Sequence, residues 1–269
     1  MTMPVPDQPL EPAAAASTPR ARITAVTSGK GGVGKTFLAA NLAAALARRG
    51  ERVLVLDADL GLANLDVVLN LFPKITLHDV FTGKATLDDA ILPAPGGFSV
   101  LLAGSGMVEY SRLTPEVRDR LQSTIDAVAP RFDHVLIDTG AGISDVVLYA
   151  VSLADDVMVV ATPEPTSLTD AYATIKVLAG QQHRQTIKLV VNQVGRLGEG
   201  RALRAQLQAV VDRYVSNGTD IPVRLDLLGD VPTDRCVREA VQKRQLLMSA
   251  MPGSEAAKAV ALVAEKLAA

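Results

Sequence analysis

Sulfur and histidine are scarce in this sequence. Its one cysteine, Cys236, excludes an internal disulfide framework and any cysteine-rich metal site, and it fits a reducing compartment. The three histidines, His78, His134 and His183, have no metal-ligand spacing. No apolar run approaches the length of a membrane span, because Asp, Pro or Gly interrupts each one. Met1 is followed by neither a basic segment nor an apolar one of the signal-peptide kind, so a cytoplasmic protein is expected. Strong charge is missing too. A net charge of −2 argues against a chain whose main business is coating nucleic acid.

What is present is apolar. The 269 residues are 48% hydrophobic, enough for one sizeable core. Residues 1–21 are rich in Pro and Ala and nearly empty of bulky apolar side chains, so a flexible tail is expected there. From Arg22 onward, short β-rich runs alternate with helical stretches. The predicted strands are Ile23–Thr27, Arg52–Leu56, His134–Ile137, Val157–Ala161, Ile187–Val191 and Leu225–Leu228. Between them lie predicted helices at Thr36–Arg49, Thr114–Ala129, Ser144–Leu153, Ser167–Leu178, Gly200–Tyr214 and Asp234–Gln242. This alternation predicts a single α/β domain over residues 22–269, with a mostly parallel twisted sheet and helices on both faces.

Between the first predicted strand and helix stands Gly29-Lys30-Gly31-Gly32-Val33-Gly34-Lys35-Thr36, which matches G-x-x-x-x-G-K-[ST] in the context that gives the motif meaning. Its glycines let successive backbone N–H groups point at phosphates, assisted by the helix N-terminus behind them. Lys35 is expected to bridge the β- and γ-phosphates of ATP, and Thr36 to bind Mg²⁺. Asp57 and Asp59 follow a buried run as D-A-D. Residues two apart on a strand share a side, so both carboxylates can face one ligand at the carboxyl end of the sheet. The plainer alternative is a turn with two solvated aspartates. Asp138 ends another apolar strand and precedes T-G-A-G, the arrangement that contacts Mg²⁺ through water. Its plainer alternative is a strand-end aspartate capping the next helix.

Lys30 completes the pattern K-G-G-x-G-K-T, and with it the chain resembles the MinD/ParA-like deviant Walker A ATPases, which are P-loop NTPases. The resemblance implies ATP and ADP as ligands, Mg²⁺ as the metal, slow hydrolysis unless a partner stimulates it, and a homodimer in the ATP state. It implies that Lys30 reaches across that dimer to the other subunit's phosphates. Residues Gly29, Lys30, Gly31, Gly32, Val33, Gly34, Lys35, Thr36 and Phe37 then cradle the nucleotide. Asp57 joins Thr36 and Asp138 around the metal, and Asp59 orients the attacking water. Asn192 hydrogen-bonds adenine, and the loop around Val231 and Pro232 supplies backbone contacts to the base.

Within that family, three segments resemble the FlhG/FleN group, ATPases that limit flagellar number and position. They are Pro95-Gly96-Gly97 with Ala103-Gly104-Ser105-Gly106, Glu164 to Tyr172, and Val237 to Arg244. D-A-D-L-G-L-A-N-L-D, from Asp57 to Asp66, is similar to the MinD switch. This implies that Asn64 sits in the switch and Glu164 near the dimer-side ribose. Implied partners are an FlhF-type GTPase and a FleQ-type transcriptional activator, with recruitment to the cell pole or membrane through such partners.

Three departures stand out. Phe37 occupies a position that is often small and polar. The tail's Asp7, Gln8 and Leu10 only faintly match an N-terminal GTPase-stimulating element, and Pro9 and Pro12 interrupt it. The last segment, Ser254–Ala269, is mostly alanine, so a helix packed on the domain is expected rather than a membrane anchor.

Competing functions remain at this stage. A ParA-like partition ATPase binding non-specific DNA needs a basic surface, for which Arg196, Arg201, Arg204, Arg235, Arg238, Lys243 and Arg244 are the candidates. A MinD-like regulator of the division site is another reading, and a metabolic P-loop enzyme a third. A metal cluster bridging two subunits needs two cysteines from each, which one cysteine excludes.

Overall fold

Eight strands lie side by side in one sheet, and helices cover both of its faces. The computed structural model describes residues 20–61, 64–104, 110, 112–196, 198–216 and 222–269. In chain order the strands are β1 (Arg22–Ser28), β2 (Val53–Ala58), β3 (Ile91–Pro93), β4 (Ser99–Leu101), β5 (His134–Ala141), β6 (Asp156–Ala161), β7 (Thr186–Val194) and β8 (Arg224–Pro232). Their order in space is β3-β4-β2-β5-β1-β6-β7-β8. All pairs are parallel except β3 with β4 at one edge. This is the expected α/β architecture. The central strand is β1, flanked by β5 and β6.

Alternate residues of each strand feed two cores. On one face, Ile23, Ala25, Leu54 and Leu56 meet α5 (Pro115–Val128), α6 (Asp145–Ser152), α7 (Pro165–Gln182) and α8 (Glu199–Tyr214). On the other, Val26, Val53 and Val55 meet α1 (Lys35–Ala47) and α11 (Glu255–Ala268). Helix α1 is apolar on nearly every side, as a helix must be when it lies between a sheet and other helices. Its run ends at Gly50, whose φ of 89° no β-carbon would welcome. The shorter helices are α2 (Leu65–Leu69), α3 (Leu77–Phe81), α4 (Leu87–Ala90), α9 (Arg235–Gln242) and α10 (Leu247–Ala250).

The C-terminal segment does what its composition implies. Ser254 caps α11 by accepting the Ala257 N–H at 3.2 Å, and Val260, Val263 and Leu267 are fully buried against the domain. Among the described residues no helix is long and apolar enough to cross a membrane.

Two sequence expectations need correction. The strand expected over Leu225–Leu228 runs on to Pro232, so Gly229-Asp230-Val231-Pro232 is sheet and not loop. A register shift between Leu189 and Val190 steps over Leu228, after which Gly229, Asp230 and Val231 pair with Val190, Val191 and Asn192. The tail expected over residues 1–21 stops earlier at its inner end. Ala21 is buried and donates its N–H to the Ala129 carbonyl, and Arg20 pairs with Asp155 at 2.8 Å. Asp7, Gln8 and Leu10 lie outside the described residues.

Candidate functional site

The carboxyl ends of β1, β2, β5 and β7 converge on the glycine loop, which leaves β1 at Ser28 and enters α1 at Lys35. Beside it opens a cavity of about 950 Å³. Gly31, Gly32, Gly34, Lys35, Thr36 and Phe37 line one wall. Asp59, Thr139 and Gly140 line another, and Asn192, Gln193, Pro232 and the near side of α9 close the third. The size suits a nucleotide-scale ligand.

Two glycines of the loop are sterically required. A β-carbon on Gly29 would lie 2.2 Å from the Asp170 carbonyl oxygen in α7, so the loop rests directly on that helix's backbone. Gly34 has φ 95°, and a β-carbon there would come within 2.4 Å of Asn192 Nδ2. Val33 turns its side chain into the core, and so does Phe37, which resolves the steric question its size raised.

Lys35 is buried, and its Nζ donates to Ser28 Oγ at 3.0 Å. Burial pulls this ammonium below its usual range, against the opposing pull of Asp138 and Asp59. Ser28 in turn donates to the Lys30 carbonyl at 2.7 Å. Sequence reasoning missed Ser28, although it is the last residue of β1 and immediately precedes the glycine loop. Lys30 points elsewhere. Its Nζ donates to Glu164 Oε2 at 2.6 Å and to Thr166 Oγ1 at 3.1 Å, both at the start of α7.

Asp57 and Asp138 are direct neighbours across β2 and β5 and are both buried. This disposes of the solvated-turn alternative for Asp57. Burial, joined by the charge of Asp138, holds Asp57 well above the usual carboxylate range, while the Asp59 and Leu65 N–H groups pull it down. Burial pushes Asp138 up to about 7 against a hydrogen bond from Thr36 and the charge of Lys35. Asp57 Oδ2 and Asp138 Oδ1 have no hydrogen-bond partner. Two unpartnered carboxyl oxygens beside a threonine hydroxyl, both acids hard to ionise without a compensating charge, fit a hard, oxygen-seeking cation such as Mg²⁺. Among the described residues no cluster of three or more His, Cys, Asp or Glu forms a cage of its own.

Asn192 lines the cavity but is already engaged. Its Nδ2 donates to the Val33 carbonyl at 2.8 Å, and its Oδ1 accepts the Gln193 N–H at 2.9 Å. Val231 is fully buried and offers the cavity no side chain, whereas Pro232 reaches it. Gln193 and Thr139 were not anticipated from sequence. Asn64 stands at the N-terminal end of α2 and lines the cavity. Gly96 and Gly97, with φ of 94° and 88°, turn the chain from β3 to β4; Ser105 and Gly106 lie outside the described residues. The basic cluster is partly committed. Arg204 donates to the Leu225 carbonyl, Lys243 pairs with Glu239, and Arg238 lines the cavity.

Residues 24–247 match the family model described as the CobQ/CobB/MinD/ParA nucleotide binding domain. The antiactivator FleN of Pseudomonas aeruginosa is 43% identical over 91% of this chain and 86% of its own. The flagellum site-determining protein YlxH of Helicobacter pylori is 32% identical over 86% of this chain and 76% of its own. Among solved structures, the septum site-determining protein MinD of Pyrococcus horikoshii, complexed with Mg-ADP, superposes with a TM-score of 0.71. It is 30% identical, over 92% of this chain and 96% of that one. The glycine loop, the paired buried aspartates and these likenesses agree: the chain belongs to the CobQ/CobB/MinD/ParA nucleotide-binding family.

Proposed function

We propose that this chain is an ATP-binding and hydrolysing switch that dimerises with ATP and regulates flagellar number and placement through protein partners. The observation that carries the reading is the placement of Lys35, Thr36, Asp57, Asp59 and Asp138 around one loop mouth, with two buried carboxylate oxygens left unpartnered. Residues Gly31 to Phe37 present backbone N–H groups to the phosphates, and Lys35 adds a cation at the β- and γ-positions. Thr36, Asp57 and Asp138 would hold Mg²⁺, which when bound would supply charge neutralisation at the phosphates. Asp59 stands at the cavity wall over Gly140, where it orients the attacking water. Lys30, at the exposed rim, is the residue free of the cavity floor that serves the partner's nucleotide.

The flagellar role is supported by the likeness to FleN and YlxH and by Glu164–Tyr172 and Val237–Arg244, which frame the loop and the cavity. An FlhF-type GTPase and a FleQ-type activator are the proposed partners. The deciding experiment pairs light scattering with phosphate release. Mg-ATP is expected to convert monomer to dimer, ADP is not, and both candidate partners should be captured only from the ATP state. A chain that stays monomeric in a non-hydrolysable ATP analogue overturns the reading.

A further inference from the structure

Strand β7 does not end straight, and the consequence falls on the phosphate loop. Its pairing with β8 shifts register between Asn192 and Val194, and Gln193 takes a left-handed φ of 59°. At that kink the buried Asn192 amide meets the Val33 carbonyl on one side and the Gln193 N–H on the other. The pair of bonds fixes the amide's orientation. A flipped amide would set oxygen against the Val33 carbonyl and an NH₂ against an N–H. Gly34 provides the room, since any β-carbon there would collide with Nδ2.

A carboxamide has two donor hydrogens and two acceptor lone pairs. One hydrogen and one lone pair are committed to the loop and to β7. One hydrogen and one lone pair are left over on a residue that lines the cavity beside Gln193 and Pro232. We propose that Asn192 is a positioning residue for the phosphate loop as well as a contact for the base. One edge of its amide clamps the Val33 carbonyl, and the opposite edge meets the base, so base occupancy and loop geometry share one side chain. This rests on the nucleotide reading above. Without the clamp, the Val33 carbonyl loses its partner, and the loop relieves that penalty by leaving the geometry phosphates require.

The test uses a ligand that has phosphates and no base. Calorimetry on the full chain compares Mg-ATP and inorganic tripolyphosphate binding to the unaltered protein, N192A and N192D. Both ligands should weaken by about tenfold or more in both variants. In N192D the introduced carboxyl cannot donate until it is protonated. Its tripolyphosphate affinity, taken relative to the unaltered chain at each pH, should therefore recover several-fold from pH 8 to pH 6. A carboxylate acting only by repelling the phosphates would lose most of this pH response at about 0.5 M salt, whereas a clamp restored by the proton keeps it. Variants that lose ATP but keep tripolyphosphate would leave a base contact alone and overturn the clamp, with the nucleotide reading intact. Absence of recovery in N192D overturns it equally. If the unaltered chain binds neither ligand, the nucleotide reading falls and takes the clamp with it.

Discussion

Lys30 Nζ lies 2.6 Å from Glu164 Oε2 of the same chain, so the lysine assigned to a neighbouring subunit's phosphates is held at home in the monomer. The lysine side chain is 38% exposed and the glutamate 61%. An ion pair so open to water is worth about 0–1 kcal/mol and weakens further with salt. It holds the ammonium near the rim at little cost to its release. K30A should accordingly bind ATP and remain monomeric under conditions that dimerise the unaltered chain, with hydrolysis down roughly 100-fold or more. Light scattering with parallel phosphate release checks this, and normal ATP-dependent dimerisation of K30A would remove the trans role.

Loss of Lys35 should be more severe. Its ammonium is buried beside the loop and anchored on Ser28, a fixed position at the cradle that neither the rim lysine nor a metal on the aspartates replaces. K35A is expected to abolish nucleotide binding, weakening it roughly 100-fold or more by titration with a fluorescent analogue. Retention of near-normal affinity would place the phosphates elsewhere.

Asp59 lines the cavity wall, whereas Asp57 and Asp138 lie buried beneath it. D59A should therefore retain ATP affinity within a few-fold, lose most turnover, and accumulate as the ATP-bound dimer. Size-exclusion chromatography with ATP and with ADP separates this outcome from a simple loss of binding.

The buried carboxylates give the metal-free chain a pH dependence of definite sign. Asp138 titrates near 3.8 when unfolded and near 7 in the fold. Between those values the folded state binds more protons, so stability falls as pH rises through the window and levels above it. Without Mg²⁺ and nucleotide, Tm should drop from pH 5 to pH 8 by roughly 5 °C, and D138N should flatten the drop. Mg-ATP should reduce it as well. Differential scanning fluorimetry checks both, and a Tm that climbs over this range in the unaltered chain but not in D138N would contradict the assignment.

Helix α11 is load shared with the core. Val263 is fully buried, and Gly229 lacks the β-carbon that would lie 2.8 Å from it. V263D should cost about 3–5 kcal/mol in denaturant unfolding. Flotation of the full chain with anionic vesicles should show no ATP-dependent binding of its own.

The main strands and the glycine loop could be read from sequence because each carries a strong local pattern. VLVLDAD and HVLID each end on an aspartate, and the buried register of Asp57 with Asp138 follows once both strands are parallel neighbours. Strands β3 and β4 escaped notice because three residues cannot display a period, and Pro93 disguises the edge. The extension of β8 depends on a bulge at Leu228, and the clamp by Asn192 depends on another at Gln193. Bulges are settled by the pairing of whole strands and leave no local mark. Lys30 meeting Glu164 is a contact across 134 positions. Its existence depends on how α7 seats against the loop.

That seating has a mechanical consequence. The carbonyl of Asp170 occupies the space a β-carbon on Gly29 would need, and the first turn of the same helix supplies Glu164 and Thr166 to Lys30. Backbone against backbone leaves no compliant side chain between them to absorb a shove. A protein that grips the outer surface of α7 and tilts it would move the cradle and its outlying lysine together, transmitting force to the reacting phosphates without ever entering the cleft.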